Sequence, residues 1–165
     1  METKEKTNPT KGVIAPRSRR VDVIVQAHEL YPLIPTEKNT DDNTALSDDK
    51  GFSSEYGDSN RNYETEVFKN FEMTWDIKVA DKNGKDKDYK VELVSVTHNP
   101  KPPTNPNIFN HNPLLPKPGS NKKSINGTIV HASPSPEDYT IHFQIFHKDK
   151  EPKHFHLDPK LRVNG

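Results

Sequence analysis

Cysteine is absent from the 165-residue chain, which removes disulfides, thiolate metal sites and cysteine nucleophiles from consideration. Apolar residues are scarce. They make up 29% of the sequence, with a mean hydropathy of −1.01, where a globular domain usually has roughly 45–50%. Spread evenly, so few could not offset the entropy of ordering the whole chain. No apolar run approaches the ~20 residues of a membrane-spanning helix. The opening METKEKTNPTKGVIAPRSRR lacks the apolar stretch of a secretory signal. These absences point to a cytoplasmic protein without a membrane partner, non-classical export being the alternative. An excess of either charge is also missing, since 24 Lys and Arg face 24 Asp and Glu. That balance argues against a nucleic-acid partner.

The apolar residues that are present cluster in short runs. Residues 1–20 are basic, contain Pro9 and Pro16, and read as a flexible arm. Residues 21–165 read as the folded domain. Val21-Asp22-Val23-Ile24-Val25 predicts a first strand with Val21, Val23 and Val25 inward. The stretch to about Glu64 is rich in Asp, Asn, Ser and Thr, and from about 37 to 62 it predicts a disordered acidic insert. From Phe71 the pattern changes. Phe71, Met73, Trp75, Ile77 and Val79 alternate with polar residues, and Val91 and Leu93 do so again after Asn83-Gly84. Asn-Gly suits a tight reversal, so residues 71–97 predict a β-hairpin.

The proline-rich segment after Thr97 cannot form a central strand or a helix. It predicts an extended crossover anchored by Ile108, Phe109, Leu114 and Leu115. Three further strands are expected at 125–132, 139–146 and 155–163, the last bent at Asp158-Pro159. The class that follows is all-β: a single antiparallel β-sandwich or Greek-key barrel with long irregular loops.

Several of these runs look familiar in order. Asp22-Val23-Ile24-Val25 resembles the DVxV opening strand of the AidA/PixA family of bacterial inclusion-body proteins, and Phe71-Glu72-Met73-Thr74-Trp75 resembles its middle strand. Tyr139-Thr140-Ile141-His142-Phe143-Gln144-Ile145 is similar to its Y-x-F-x-F/I strand, and Asp158-Pro159-Lys160-Leu161-Arg162-Val163 to its closing motif. Two departures are the longer acidic insert and Phe155-His156-Leu157 where that family has a Trp before Asp-Pro. The resemblance implies a compact bacterial β-sandwich-like domain, often abundant and sometimes self-associating into inclusions. It implies no catalytic residues.

Candidate chemistry is sparse. His154, His156 and Asp158 alternate on one strand face, and a hairpin turning near Lys150 would bring His142 and Gln144 beside them. Three such donors could converge on a metal ion; a solvated outer face is the simpler reading, and no cofactor is expected. Trp75, the single tryptophan, is a core residue by its stripe and a ligand- or partner-stacking residue if exposed. Residues 81–86 have the wrong glycine offset for an EF-hand. There is no Gly-x-Ser-x-Gly elbow and no phosphate loop, so no catalytic residue is assigned. The sequence therefore favours a non-enzymatic structural or interaction protein acting by self-association or partner binding. The alternatives are a β-sandwich module for a carbohydrate or protein ligand and, third, a metal-dependent enzyme on the histidine face.

Overall fold

The computed structural model describes residues 15–102 and 105–165, so most of the basic arm lies outside it. Nine strands dominate the described residues: β1 (Arg19–Val25), β2 (Thr44–Asp48), β3 (Glu64–Phe68), β4 (Glu72–Val79), β5 (Tyr89–His98), β6 (Ser124–Thr128), β7 (Glu137–His147), β8 (Lys153–Leu157) and β9 (Lys160–Asn164). Two short helices, α1 (Ala27–Leu30) and α2 (Glu37–Asp42), and a 3-10 turn at Asn60–Asn62 complete them. One sheet runs β2-β1-β4-β6; the other runs β3-β9-β7-β5, with β8 also paired to β7. The expected all-β sandwich is formed, without closure into a barrel. Both sheets are mixed rather than wholly antiparallel, because β1 lies parallel to β4 and β3 parallel to β9.

The period-2 stripes face each other across the core. Val21, Val23 and Val25 of β1 and Met73, Trp75 and Ile77 of β4 are buried. They meet Val91, Leu93, Ile141, Phe143 and Ile145 of the other sheet. Phe71 departs from its stripe. It precedes β4 and is exposed, packed edge-on against Phe68. A register shift between Leu93 and Ser95 changes parity along β5, which is why Val96 is buried although Val94 is only half-buried.

Residues 71–97 do not form a hairpin. β4 pairs with β1 and β6, whereas β5 pairs with β7 in the opposite sheet, so the intervening residues arch between the layers. Neither Asn83 nor Gly84 takes a positive φ. What shapes the arch is the carboxylate of Asp86, which is wholly inaccessible. It accepts from the backbone of His28 (2.7 Å) and of Asp81 (2.9 Å), and pairs with His28 Nδ1 at 2.6 Å. Burial alone would raise the Asp86 pKa, but these hydrogen bonds and the His28 ring hold it below the usual carboxylate range. Asp138 is also held low, chiefly by hydrogen bonds from Lys101 and Lys160.

A depressed folded-state pKa contributes stability that is present above the unfolded-state value and lost as pH falls through the folded-state one. The protein is therefore expected to lose stability below about pH 4. Asp86→Asn should lower the melting temperature at neutral pH and flatten that acid limb. An unchanged acid limb in this variant would contradict the role given to Asp86.

Residues 37–62, where the composition points to disorder, carry α2, β2 and the 3-10 turn. Most of their acids have partners. Asp48 and Asp49 lie 3.6 and 2.7 Å from the guanidinium of Arg19, Glu37 meets Arg61, and Asp41 accepts from Asn60. Thr36 caps α2 by accepting from the Asn39 amide. Arg19, in the stretch read as the arm, belongs to β1 and is buried.

The proline-rich segment is a crossover, as expected. Ile108, Phe109 and Leu114 are buried, but Leu115 is 61% exposed and anchors nothing. His98, to which the sequence assigned no role, fastens the segment. Its Nδ1 lies 3.2 Å from the Ile108 amide and 3.0 Å from Asn107 Oδ1, and its Nε2 lies 2.6 Å from Glu137 Oε1. Gly127 lets the crossover lie close on β6, since a Cβ there would sit 2.4 Å from Leu114 Cδ1. The C-terminal run splits at Asp158-Pro159 into β8, which pairs with β7, and β9, which lies between β7 and β3. Leu161 and Val163 point inward and Arg162 is exposed.

Candidate functional site

The histidine face forms in the expected register. β7 and β8 turn between His147 and Lys153, setting His142 opposite His156 and Gln144 opposite His154. The rings of His142 and His156 stand 6.0 Å apart, and His156 Nε2 is 3.5 Å from Asp158 Oδ2. The other Asp158 oxygen accepts from Thr140 Oγ1 at 2.7 Å. His154 faces Gln144 rather than the other imidazoles. Among the described residues, no group of three or more His, Asp or Glu is gathered to hold a metal ion. His142 has its pKa lowered, first by burial and then by the adjoining His156 and His154.

Trp75 has no exposed surface, which corrects the stacking role considered for it. Its indole Nε1 donates to Tyr139 Oη at 3.2 Å, and Phe109 packs edge-on at 5.6 Å. Burial pushes the Tyr139 hydroxyl far above its ordinary pKa. This aromatic group joins the two sheets and the crossover, and is a packing centre.

The site the structure offers lies elsewhere, in a cleft of about 750 Å3 that the sequence did not reveal. Its floor is the polar face of β3 and β9. Thr65, Val67, Leu161 and Val163 point into the core, and the alternate residues Glu64, Glu66, Arg162 and Asn164 therefore line the cleft. The opposite wall comes from the first sheet and the loop after β2, through Arg19, Asp48, Lys50, Phe52 and Ser53.

Arg19 fixes this wall. Its Nη1 donates to the Glu66 carbonyl at 2.5 Å, tying the start of β1 to the margin of the other sheet, while Asp48 and Asp49 offset its charge. Arg162 Nε reaches Glu64 at 2.7 Å, and Asn164 donates to Glu66 Oε2 at 2.5 Å. Glu66 Oε1 is buried with no hydrogen-bond partner among the described residues. Tyr63 donates to the Phe52 carbonyl at 2.9 Å, and burial raises its hydroxyl pKa. The sequence held one clue: the i, i+2 pairs Glu64/Glu66 and Arg162/Asn164. What no pattern shows is that β3 and β9 become parallel neighbours.

No family model and no curated protein matches the chain. Among solved structures it is similar to the inclusion body protein PixA of Burkholderia cenocepacia J2315, with a TM-score of 0.58. The match covers 95% of this chain and 99% of that one at 10% identity. The two proteins share a fold. Among the described residues no helix is long and apolar enough to cross a membrane.

Proposed function

We propose that the protein is a non-enzymatic structural or interaction protein that works by self-association; the solved structure whose fold it shares is that of an inclusion body protein. The observation that carries this reading is the match over nearly the whole of both chains. The sheet margins say how association would proceed. β5 is flanked by the crossover at Leu114 and Lys122, β6 by Phe109 and Asn110, and β2 by Ser53 and Ser54. At the remaining margins the Arg19 side chain reaches the Glu66 carbonyl of β3, and α2 packs beside β8; strands flanked in this way are poor templates for edge-to-edge pairing. Association would then use side-chain surfaces, where Ile34 and Leu115 are 72% and 61% exposed.

Sedimentation velocity of the full chain over a wide concentration range tests this. Reversible oligomers that do not bind an amyloid dye are the expected result. Oligomers that bind the dye would contradict the side-chain route.

A further inference from the structure

We infer that the cleft between Arg19 and the β3–β9 face binds a neutral, polyhydroxylated ligand of disaccharide size. Its volume, about 750 Å3, lies within the roughly 300–1,000 Å3 of small-molecule sites. Charge comes first in choosing the ligand class. Arg19, Lys50 and Arg162 line the cleft together with Asp48, Glu64 and Glu66, so the formal charges cancel. Most are already engaged with each other, Arg19 with Asp48 and Arg162 with Glu64. The two lining charges outside these pairs, Lys50 and Glu66, are of opposite sign, so the cleft favours neither an anion nor a cation.

A hydroxyl group has no such difficulty, because it both donates and accepts. The cleft offers both kinds of partner. Carboxylate oxygens accept, and the amides of Asn62 and Asn164 and the hydroxyl of Ser53 can do either. Glu66 Oε1, buried without a partner among the described residues, is an acceptor that a small turn of the carboxylate would present to a ligand hydroxyl. A sugar ring also has an apolar C–H face, and Phe52 and Tyr63 supply aromatic surface on the same wall.

The cleft is also held in shape before any ligand arrives. The Arg19 side chain is only 2% exposed and is engaged by Asp48, Asp49 and the Glu66 carbonyl. The Tyr63 hydroxyl is tied to Phe52. Groups fixed beforehand lose less freedom on binding, which favours affinity. This inference is independent of self-association. A protein that stays monomeric could still bind sugar, and an assembling one could fail to.

The test is an amide NMR titration of the full chain with maltose, lactose, cellobiose and chitobiose in turn, and with inorganic phosphate and calcium in parallel. Saturable shifts confined to residues 50–53, 62–66 and 162–164 are expected with at least one disaccharide. Phe52→Ala and the near-isosteric Glu66→Gln should each weaken that binding about tenfold, as the loss of one well-placed contact does. Melting curves of both variants show whether they remain folded, and Glu66→Gln decides alone if Phe52→Ala does not. The inference is overturned by silence toward all four sugars, by sugar binding that survives Glu66→Gln, or by saturation with phosphate or calcium alone.

Discussion

Trp75→Ala should destabilise the protein by roughly 3–5 kcal/mol, the usual cost of deleting a large, fully packed aromatic. Three features place it in that range. The ring has no exposed surface, so truncation leaves a cavity rather than admitting solvent. Its Nε1 donates to Tyr139, and removing the donor leaves a buried hydroxyl without that partner, which costs about 1–3 kcal/mol by itself. Phe109 and Tyr139 both pack against it, at 5.6 and 5.7 Å, so the loss reaches the crossover as well as both sheets. Trp75→Phe separates the contributions. It keeps most of the apolar area and should recover more than half of the loss. Chemical denaturation of the three proteins is the measurement, and near-wild-type stability of Trp75→Ala would contradict the packing role.

Removing residues 158–165 should have an even larger effect, through loss of cooperative folding. β9 is an interior strand. It lies parallel to β3 on one side and pairs with the start of β7 on the other, and among the described residues β9 is the one strand paired with β3. Leu161 and Val163 are 0% and 1% exposed, and truncating one buried aliphatic of this size typically costs about 2–5 kcal/mol. Two such losses together with a broken ladder approach the whole stability of a typical domain, about 5–15 kcal/mol. The newly bared flanks of β3 and β7 would then invite aggregation. Expression of the shortened chain in the insoluble fraction is the expected outcome. A soluble truncation melting cooperatively at the full-length temperature would show β9 to be dispensable.

These two predictions rest on the parts of the fold that were plainest in the sequence. Alternation is a local property, so the faces of β1, β4, β7 and β9 could be read from Val21/Val23/Val25, Met73/Trp75/Ile77, Ile141/Phe143/Ile145 and Leu161/Val163. Partnership between strands is not local. Asn83-Gly84 looked like a tight turn, yet the Asp86 carboxylate, fastened to His28 58 residues away, makes that stretch an arch between sheets. The acidic segment at 37–62 misled for the same reason. Its composition gives no sign that Arg19 awaits Asp48 and Asp49, or that Asn60 awaits Asp41. A local signal for α2 did exist, in Thr36 as its cap and in the i, i+4 pair Lys38 and Asp42, 2.8 Å apart.

The candidate sites divide similarly. The histidine row on β8 was legible because it needs only period 2 and a turn near Lys150. Whether its members converge depends on rotamers and neighbours, and Thr140 and Gln144 take up Asp158 and His154. The cleft was not legible. It depends on β3 and β9 lying side by side, 98 residues apart in sequence at Glu64 and Arg162, and on a buried arginine that composition alone places in a tail.

Native mass spectrometry of the full chain at increasing concentration tests self-association most directly, because it counts copies in each assembly without a label or a ligand. The account predicts homo-oligomers whose population grows with concentration and returns to monomer on dilution. A single monomeric species at every concentration would contradict it.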